Sequence, residues 1–260
     1  MKYYIVDAFA EQVFTGNQAG VCLVEKALAP DIMQNIAAEN NLAETAFIVR
    51  RGDTYDLRWF TPEIEIDLCG HATLASAFVV FNFVDRQADS VRFHTQSGPL
   101  TVVKKDDLLE MDFPSRPPQP MAITPLMSEA IGAKVLEAHI SRDLVLLVES
   151  EDVVRSLSPN MELIKTVPDV LGVVVTAPGR TCDFVSRFFA PSVDSQAPED
   201  PVTGSTHCNL IPFWSARLGK NELVARQLSK RGGTLFCRDC GQRVKIAGRA
   251  ALYLSGEINL

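Results

Sequence analysis

Three short stretches hold side chains whose types and spacing suit proton transfer or anion binding. They are Ala43-Glu44-Thr45-Ala46-Phe47, Cys69-Gly70-His71-Ala72 and Asp200-Pro201-Val202-Thr203-Gly204-Ser205. A lone glutamate is ordinarily a solvated surface charge. Glu44, however, stands between Ala43 and Ala46-Phe47-Ile48, and apolar surroundings disfavour a carboxylate relative to the acid. A carboxyl group buried in that way can give up and take back a proton. His71 falls where a helix is expected to open. There the helix dipole disfavours an imidazolium, so the expectation is a neutral hydrogen-bonding ring, with plain packing as the alternative. Asp200 can accept a proton or orient a substrate, and equally can cap the helix that follows it.

Gly70 and Gly204 each begin an expected helix. A helix start leaves backbone N–H groups unpaired and carries partial positive charge, so it binds carboxylates and phosphates. Glycine lets a ligand approach the backbone closely, and Ser205 adds a hydroxyl. The plainer alternative is that each glycine serves a tight turn.

The elements that must position these residues follow from patterning. Polar–apolar alternation or apolar runs predict strands at 3–9, 56–60, 90–95, 108–113, 144–150, 170–178, 182–191, 243–248 and 250–256. After Pro30, Asp31 is the expected N-cap of a helix with Ile32, Ile36 and Ala37 on one face. Apolar helices are expected at 71–82 and 205–219, the second bent or interrupted at Pro212.

A repeat lies beneath this pattern. Arg58-Trp59-Phe60-Thr61-Pro62 resembles Arg187-Phe188-Phe189-Ala190-Pro191, and each precedes an acidic stretch and a helix-opening turn. Gly98 follows Gly70 at the spacing at which Gly232 follows Gly204, and Arg92 and Arg226 precede those later glycines equally. Shared order and spacing predict two copies of one αβ unit, joined near the proline cluster at 113–120.

Composition narrows the function. The 260 residues carry 32 acidic against 25 basic side chains, a net charge of −7, which leaves no basic footprint for nucleic acid. Mean hydropathy is +0.07 and 47% of residues are hydrophobic, enough for a sizeable core rather than a disordered chain. The apolar run 74–84 is about half of what a bilayer span needs, and the start lacks the features of a signal peptide. Six cysteines are too sparse for a disulfide scaffold, so the expectation is a soluble, cytoplasmic protein without membrane partners. No dinucleotide or Walker motif appears, and His94, His139 and His207 show no ligand spacing. Cys237 and Cys240 have zinc-ribbon spacing but no second pair. No metal and no cofactor are expected.

Taken together, the stretches at 6–21, 41–47, 58–75, 187–207, 231–235 and 244–250 resemble the phenazine-biosynthesis isomerase (PhzF-like) family, a branch of the diaminopimelate-epimerase fold. The resemblance implies an α+β chain of two pseudo-symmetric lobes, 1–115 and 116–260, with the last strand able to return to the first lobe. Each lobe would be a barrel-like, mostly antiparallel sheet around a central helix, with the active site between them. It also implies a homodimer and cofactor-free chemistry on a small amino-acid-like or cyclic carboxylate. Glu44 matches the family's proton shuttle, His71 and Asp200 its catalytic partners, and Gly70, His71, Gly204 and Ser205 its substrate-binding positions. Ala43, Gln18 and Thr206 depart from the common Ser, Pro and Ala, and none of these is a proton carrier.

Two rivals stay open. Cys69-Gly70-His71 resembles a thiol motif of the epimerase and proline-racemase branches, whose second thiol would fall near Pro201. A small packing residue is the other reading of Cys69. A fold that binds a carboxylate without catalysis is the third possibility.

Overall fold

The computed structural model describes residues 1–193 and 197–260. Asp194, Ser195 and Gln196, within the second acidic stretch, lie outside the described residues. The chain divides into two compact units, 1–112 with 247–260, and 113–246. The closing strand therefore belongs with the first unit.

The first unit opens with β1 (Lys2–Ala8), β2 (Asn17–Val24), α1 (Pro30–Asn40), β3 (Glu44–Arg51), β4 (Thr54–Phe60) and β5 (Glu65–Ile66). It continues through α2 (Gly70–Val79), a π-helical turn at Val80–Val84, β6 (Ser90–Thr95), β7 (Gly98–Lys105) and β8 (Leu108–Pro114). The second unit holds β9 (Gln119–Met121), α3 (Pro125–Ile131), β10 (Glu137–Ile140), β11 (Leu144–Leu147), α4 (Glu151–Ser156) and α5 (Met161–Lys165). It then runs through β12 (Val173–Pro178), β13 (Phe184–Phe189), β14 (Glu199–Asp200), α6 (Gly204–Leu218), β15 (Glu222–Gln227), β16 (Gly233–Asp239) and β17 (Arg243–Gly248). The last strand is β18 (Ala250–Glu257), antiparallel to β1.

The repeat is visible in strand pairing. In the first unit β2 and β3 are parallel, β4 lies antiparallel to β3, and β4 also takes β5 antiparallel and β6 parallel. The second unit repeats this order with β11, β12, β13, β14 and β15 in the same senses. A bidentate ion pair recurs with it. Arg58 donates to both carboxylate oxygens of Glu65 at 2.6 and 2.7 Å, and Arg187 to those of Glu199 at 2.6 and 2.9 Å. Each guanidinium lies over the ring two residues on, Phe60 at 5.2 Å and Phe189 at 5.1 Å. These clamps tie β5 and β14 down just before the helix-opening turns.

The two central helices are buried for the reason their composition gives. Every residue of α2 from His71 to Ala77 is buried, and a helix apolar on all sides belongs inside a core. Its small residues let the sheet approach closely. The hydroxyls of Thr73 and Ser76 turn back onto the carbonyls of Cys69 and Ala72 at 2.5 and 2.7 Å, so neither is a stranded polar group.

Three local expectations are corrected. Pro30, at the first position of α1, follows an N-cap at Ala29, so Asp31 lies inside the first turn. Met33 joins Ile36 and Ala37 in the core, whereas Ile32 is exposed. α6 runs unbroken through Pro212. A helical proline orphans the carbonyl four residues earlier; here that carbonyl, of Cys208, accepts the N–H of Arg116 at 2.9 Å. The proline cluster thus supplies the donor that Pro212 lacks.

His207 of α6 is fully buried, which excludes a helix-surface position. Its Nδ1 meets the carbonyl of Thr203 at 2.7 Å, and its ring lies against Phe184. Burial, partly opposed by that carbonyl, lowers its pKa to about 4. The sign is fixed: the unfolded chain protonates this ring below about pH 6.5 while the folded chain keeps it neutral. Its stabilising contribution is thus complete above that pH and is lost as the solution is acidified towards pH 4. The loss should reach about 3 kcal/mol. Urea denaturation of wild type and His207→Gln across this range should show that only wild type has this slope.

Candidate active site

The first turn gathers residues from three elements. Glu44 is the first residue of β3 and pairs with Ala19 of β2. His71 is the second residue of α2, and Cys69 is its N-cap. Asn17 begins β2, immediately after Gly16, whose φ of +69° suits glycine. A Cβ at Gly16 would fall 2.2 Å from the Ala8 carbonyl, so the turn that delivers Asn17 requires glycine.

His71 is the hub. Its Nδ1 lies 3.2 Å from Asn17 Nδ2 and 3.5 Å from Cys69 Sγ. Its Nε2 lies 2.9 Å from Glu44 Oε2, the two side chains being 7% and 17% exposed. That close approach is not aligned as a hydrogen bond: among the described residues neither atom has a hydrogen-bond partner. With the ring protonated, the two form a largely buried ion pair, which leaves the second carboxylate oxygen of Glu44 for other contacts.

Burial works against an imidazolium at His71, but the neighbouring Cys69 and Glu44 outweigh it and raise the ring's pKa well above its usual value. The expected neutral ring is corrected accordingly: Cys69 and the Glu44 carboxylate together prevail over burial. Asn17 offers both a donor and an acceptor, so its amide can serve either protonation state of Nδ1. Cys69 is buried, and burial, reinforced by Glu44 and opposed by His71, pushes its thiol pKa up. It packs, yet it also touches the hub.

The second turn is built differently. Asp200 ends β14 and does not cap α6, whose N-cap is Thr203. The Asp200 carboxylate instead accepts the Thr203 hydroxyl at 2.7 Å. Gln227, fully buried, donates to the Asp200 carbonyl at 2.7 Å and accepts the Thr203 N–H at 2.9 Å. Neither α2 nor α6 has its N-cap side chain bonded to the first-turn N–H groups. Gly204 and Ser205 open α6 as Gly70 and His71 open α2. Thr203, not Pro201, therefore occupies the position equivalent to Cys69, and no second thiol stands there.

Asn17 and Gln227 were not singled out by residue type. Asn17 does lie within the 6–21 stretch that carries the family resemblance, and that was its available signal. Gln227 follows Arg226 of the repeat, but nothing local marks its side chain as the brace of a turn in a distant part of the chain.

Comparison with known proteins agrees with this architecture. The family model described as phenazine biosynthesis-like protein matches residues 6–256. An uncharacterized isomerase of Pseudomonas aeruginosa is 46% identical over 100% of this chain and 99% of its own length. A human phenazine biosynthesis-like domain-containing protein is 39% identical over 99% of each. The crystal structure of a PhzF-family protein from Enterococcus faecalis superposes with a TM-score of 0.97 at 50% identity, covering 100% of this chain and 99% of that one. A predicted epimerase of Pseudomonas aeruginosa, 20% identical with a TM-score of 0.79, shares the fold over 99% of this chain and 98% of its own. Among the described residues no helix is long and apolar enough to cross a membrane. On the length and identity of these matches, the chain belongs to the phenazine biosynthesis-like (PhzF) family.

Proposed function

We propose that this protein is a cofactor-independent isomerase that moves a proton within a small amino-acid-like or cyclic carboxylate, with Glu44 as acid and base. The observation that carries the reading is the largely buried ion pair of Glu44 Oε2 and His71 Nε2, 2.9 Å apart. The isomerase names of full-length relatives support the reaction class.

In this reading Glu44, as carboxylate, takes a proton from a carbon made acidic by the substrate's own electron-withdrawing group. The electron pair left behind delocalises into that group. The resulting acid returns the same proton, or one from solvent, to another carbon of the same molecule. His71, held cationic by its neighbours, stabilises the carboxylate base and the negative charge of the intermediate. The N–H groups at the start of α2 are assigned to the substrate carboxylate, which helix starts suit, and Asp200, Gly204 and Ser205 keep the binding role that the family resemblance implies. Incubating the protein with a panel of amino and hydroxy carboxylates in deuterated water should place deuterium on carbon in at least one of them. A panel that stays unlabelled would count against catalysis.

Asn17 acts on this reaction through the ring it holds. Replacing it with Ala should lower kcat by up to about a hundredfold through misplacement of His71, with KM little changed. A variant with a raised KM and an intact kcat would instead make Asn17 a substrate contact.

A further inference from the structure

The first turn carries a donor set that proton transfer does not exhaust. Glu44, Cys69 and His71 each present one ligand-type atom, an oxygen, a sulfur and a nitrogen, and these lie within 4.8 Å of one another. We propose that the three side chains form a binding site for zinc, and that an ion held there arrests the enzyme.

Thiolate, imidazole and carboxylate are the ligands zinc prefers. Metal–ligand bonds of about 2.0–2.3 Å put tetrahedral donors roughly 3.3–3.8 Å apart, so closing the site requires the His71 ring to turn until one nitrogen faces both Cys69 Sγ, which stands beside Nδ1, and Glu44 Oε2, which stands beside Nε2. An independent feature points to a ligand at the same place. Glu44 Oε2 and His71 Nε2 are buried and face each other as an ion pair at 2.9 Å, and among the described residues neither has an aligned hydrogen bond. Their desolvation has therefore already been met by folding, and a bound zinc ion takes the place of the imidazolium proton as the cationic partner of the carboxylate. Three protein ligands leave a fourth position for water or a substrate carboxylate. On binding, the S–H bond of Cys69 breaks and an S–Zn bond forms, the imidazolium of His71 loses one N–H proton as that nitrogen takes the metal, and both protons pass to solvent; nothing is oxidised or reduced. The consequence for turnover rests on the function proposed above, because a carboxylate bound to zinc no longer shuttles a proton. The metal site itself does not depend on that reading.

Cobalt chloride, titrated into the full chain, is the probe, because a cobalt–thiolate bond has a near-ultraviolet charge-transfer band. The band should saturate at one ion per chain and vanish when zinc is added. It should be lost in Cys69→Ser, while Glu44→Gln should weaken cobalt binding on the order of tenfold. Cys240→Ser, which breaks the other closely spaced pair of thiols, should leave the band unchanged. Absence of the band in wild type, its survival in Cys69→Ser, or its loss in Cys240→Ser would each overturn the assignment. Circular dichroism confirms that each variant is folded, and Glu44→Gln keeps the question decidable if Cys69→Ser is not. The readout needs no turnover. A chain that binds cobalt as described but labels no carboxylate keeps the metal site and loses the isomerase reading.

Discussion

Glu44→Gln should abolish nearly all carbon-bound deuterium incorporation while leaving the protein folded. The glutamine keeps the shape of the side chain and removes only its ability to carry a proton, so the loss measures general acid–base catalysis, on the order of 10²–10⁴-fold. The same change should be visible without substrate. Glu44 is one of the neighbours that raise the His71 pKa, so in the variant the ring should titrate at lower pH, as an NMR titration of its imidazole protons would record. A normal rate in Glu44→Gln would remove this residue from the chemistry.

Arg187→Met should be the most destabilising of the substitutions considered, by about 3 kcal/mol in urea denaturation. The Arg187–Glu199 pair is 13% and 23% exposed, and Arg187 also donates to the Leu157 carbonyl at 2.9 Å. Removing the guanidinium leaves a largely desolvated carboxylate and a carbonyl without that donor. Its counterpart Arg58 is more exposed, at 33%, and although Glu65 is as desolvated as Glu199 it keeps a second donor, the Gln96 amide at 2.8 Å. Arg58→Met should therefore cost less, about 1 kcal/mol. Equal losses at the two sites would mean that neither the burial of Arg187 and its bond to Leu157 nor the Gln96 donor at Glu65 sets the strength of the clamps.

The duplication was legible because each αβ unit repeats its residues in register: Arg58 and Arg187, Gly70 and Gly204, Gly98 and Gly232 recur at matched positions and fall on matching elements. The burial of α2 could be read from its composition. What could not be read depended on partners distant in sequence. Pro212 signalled a break, and only the N–H of Arg116 explains why the helix continues. His71 looked neutral from its place at a helix start, and Cys69 with the Glu44 carboxylate at 2.9 Å reverses that expectation. Asp200 looked like a cap, but Thr203 holds that position and Gln227 braces the turn. Helix and strand signals are local in the chain, whereas the charge states and hydrogen bonds of a site are set by the fold.

Two acids beside one imidazole compete for the role of base, and a single paired assay decides between them. Glu44→Gln and Cys69→Ser, measured side by side for deuterium transfer to carbon on the same substrate, should diverge. The account predicts that the glutamine variant is inactive while the serine variant retains most of its rate. The reverse result, an active Glu44→Gln and a dead Cys69→Ser, would make the thiol the proton carrier and contradict it.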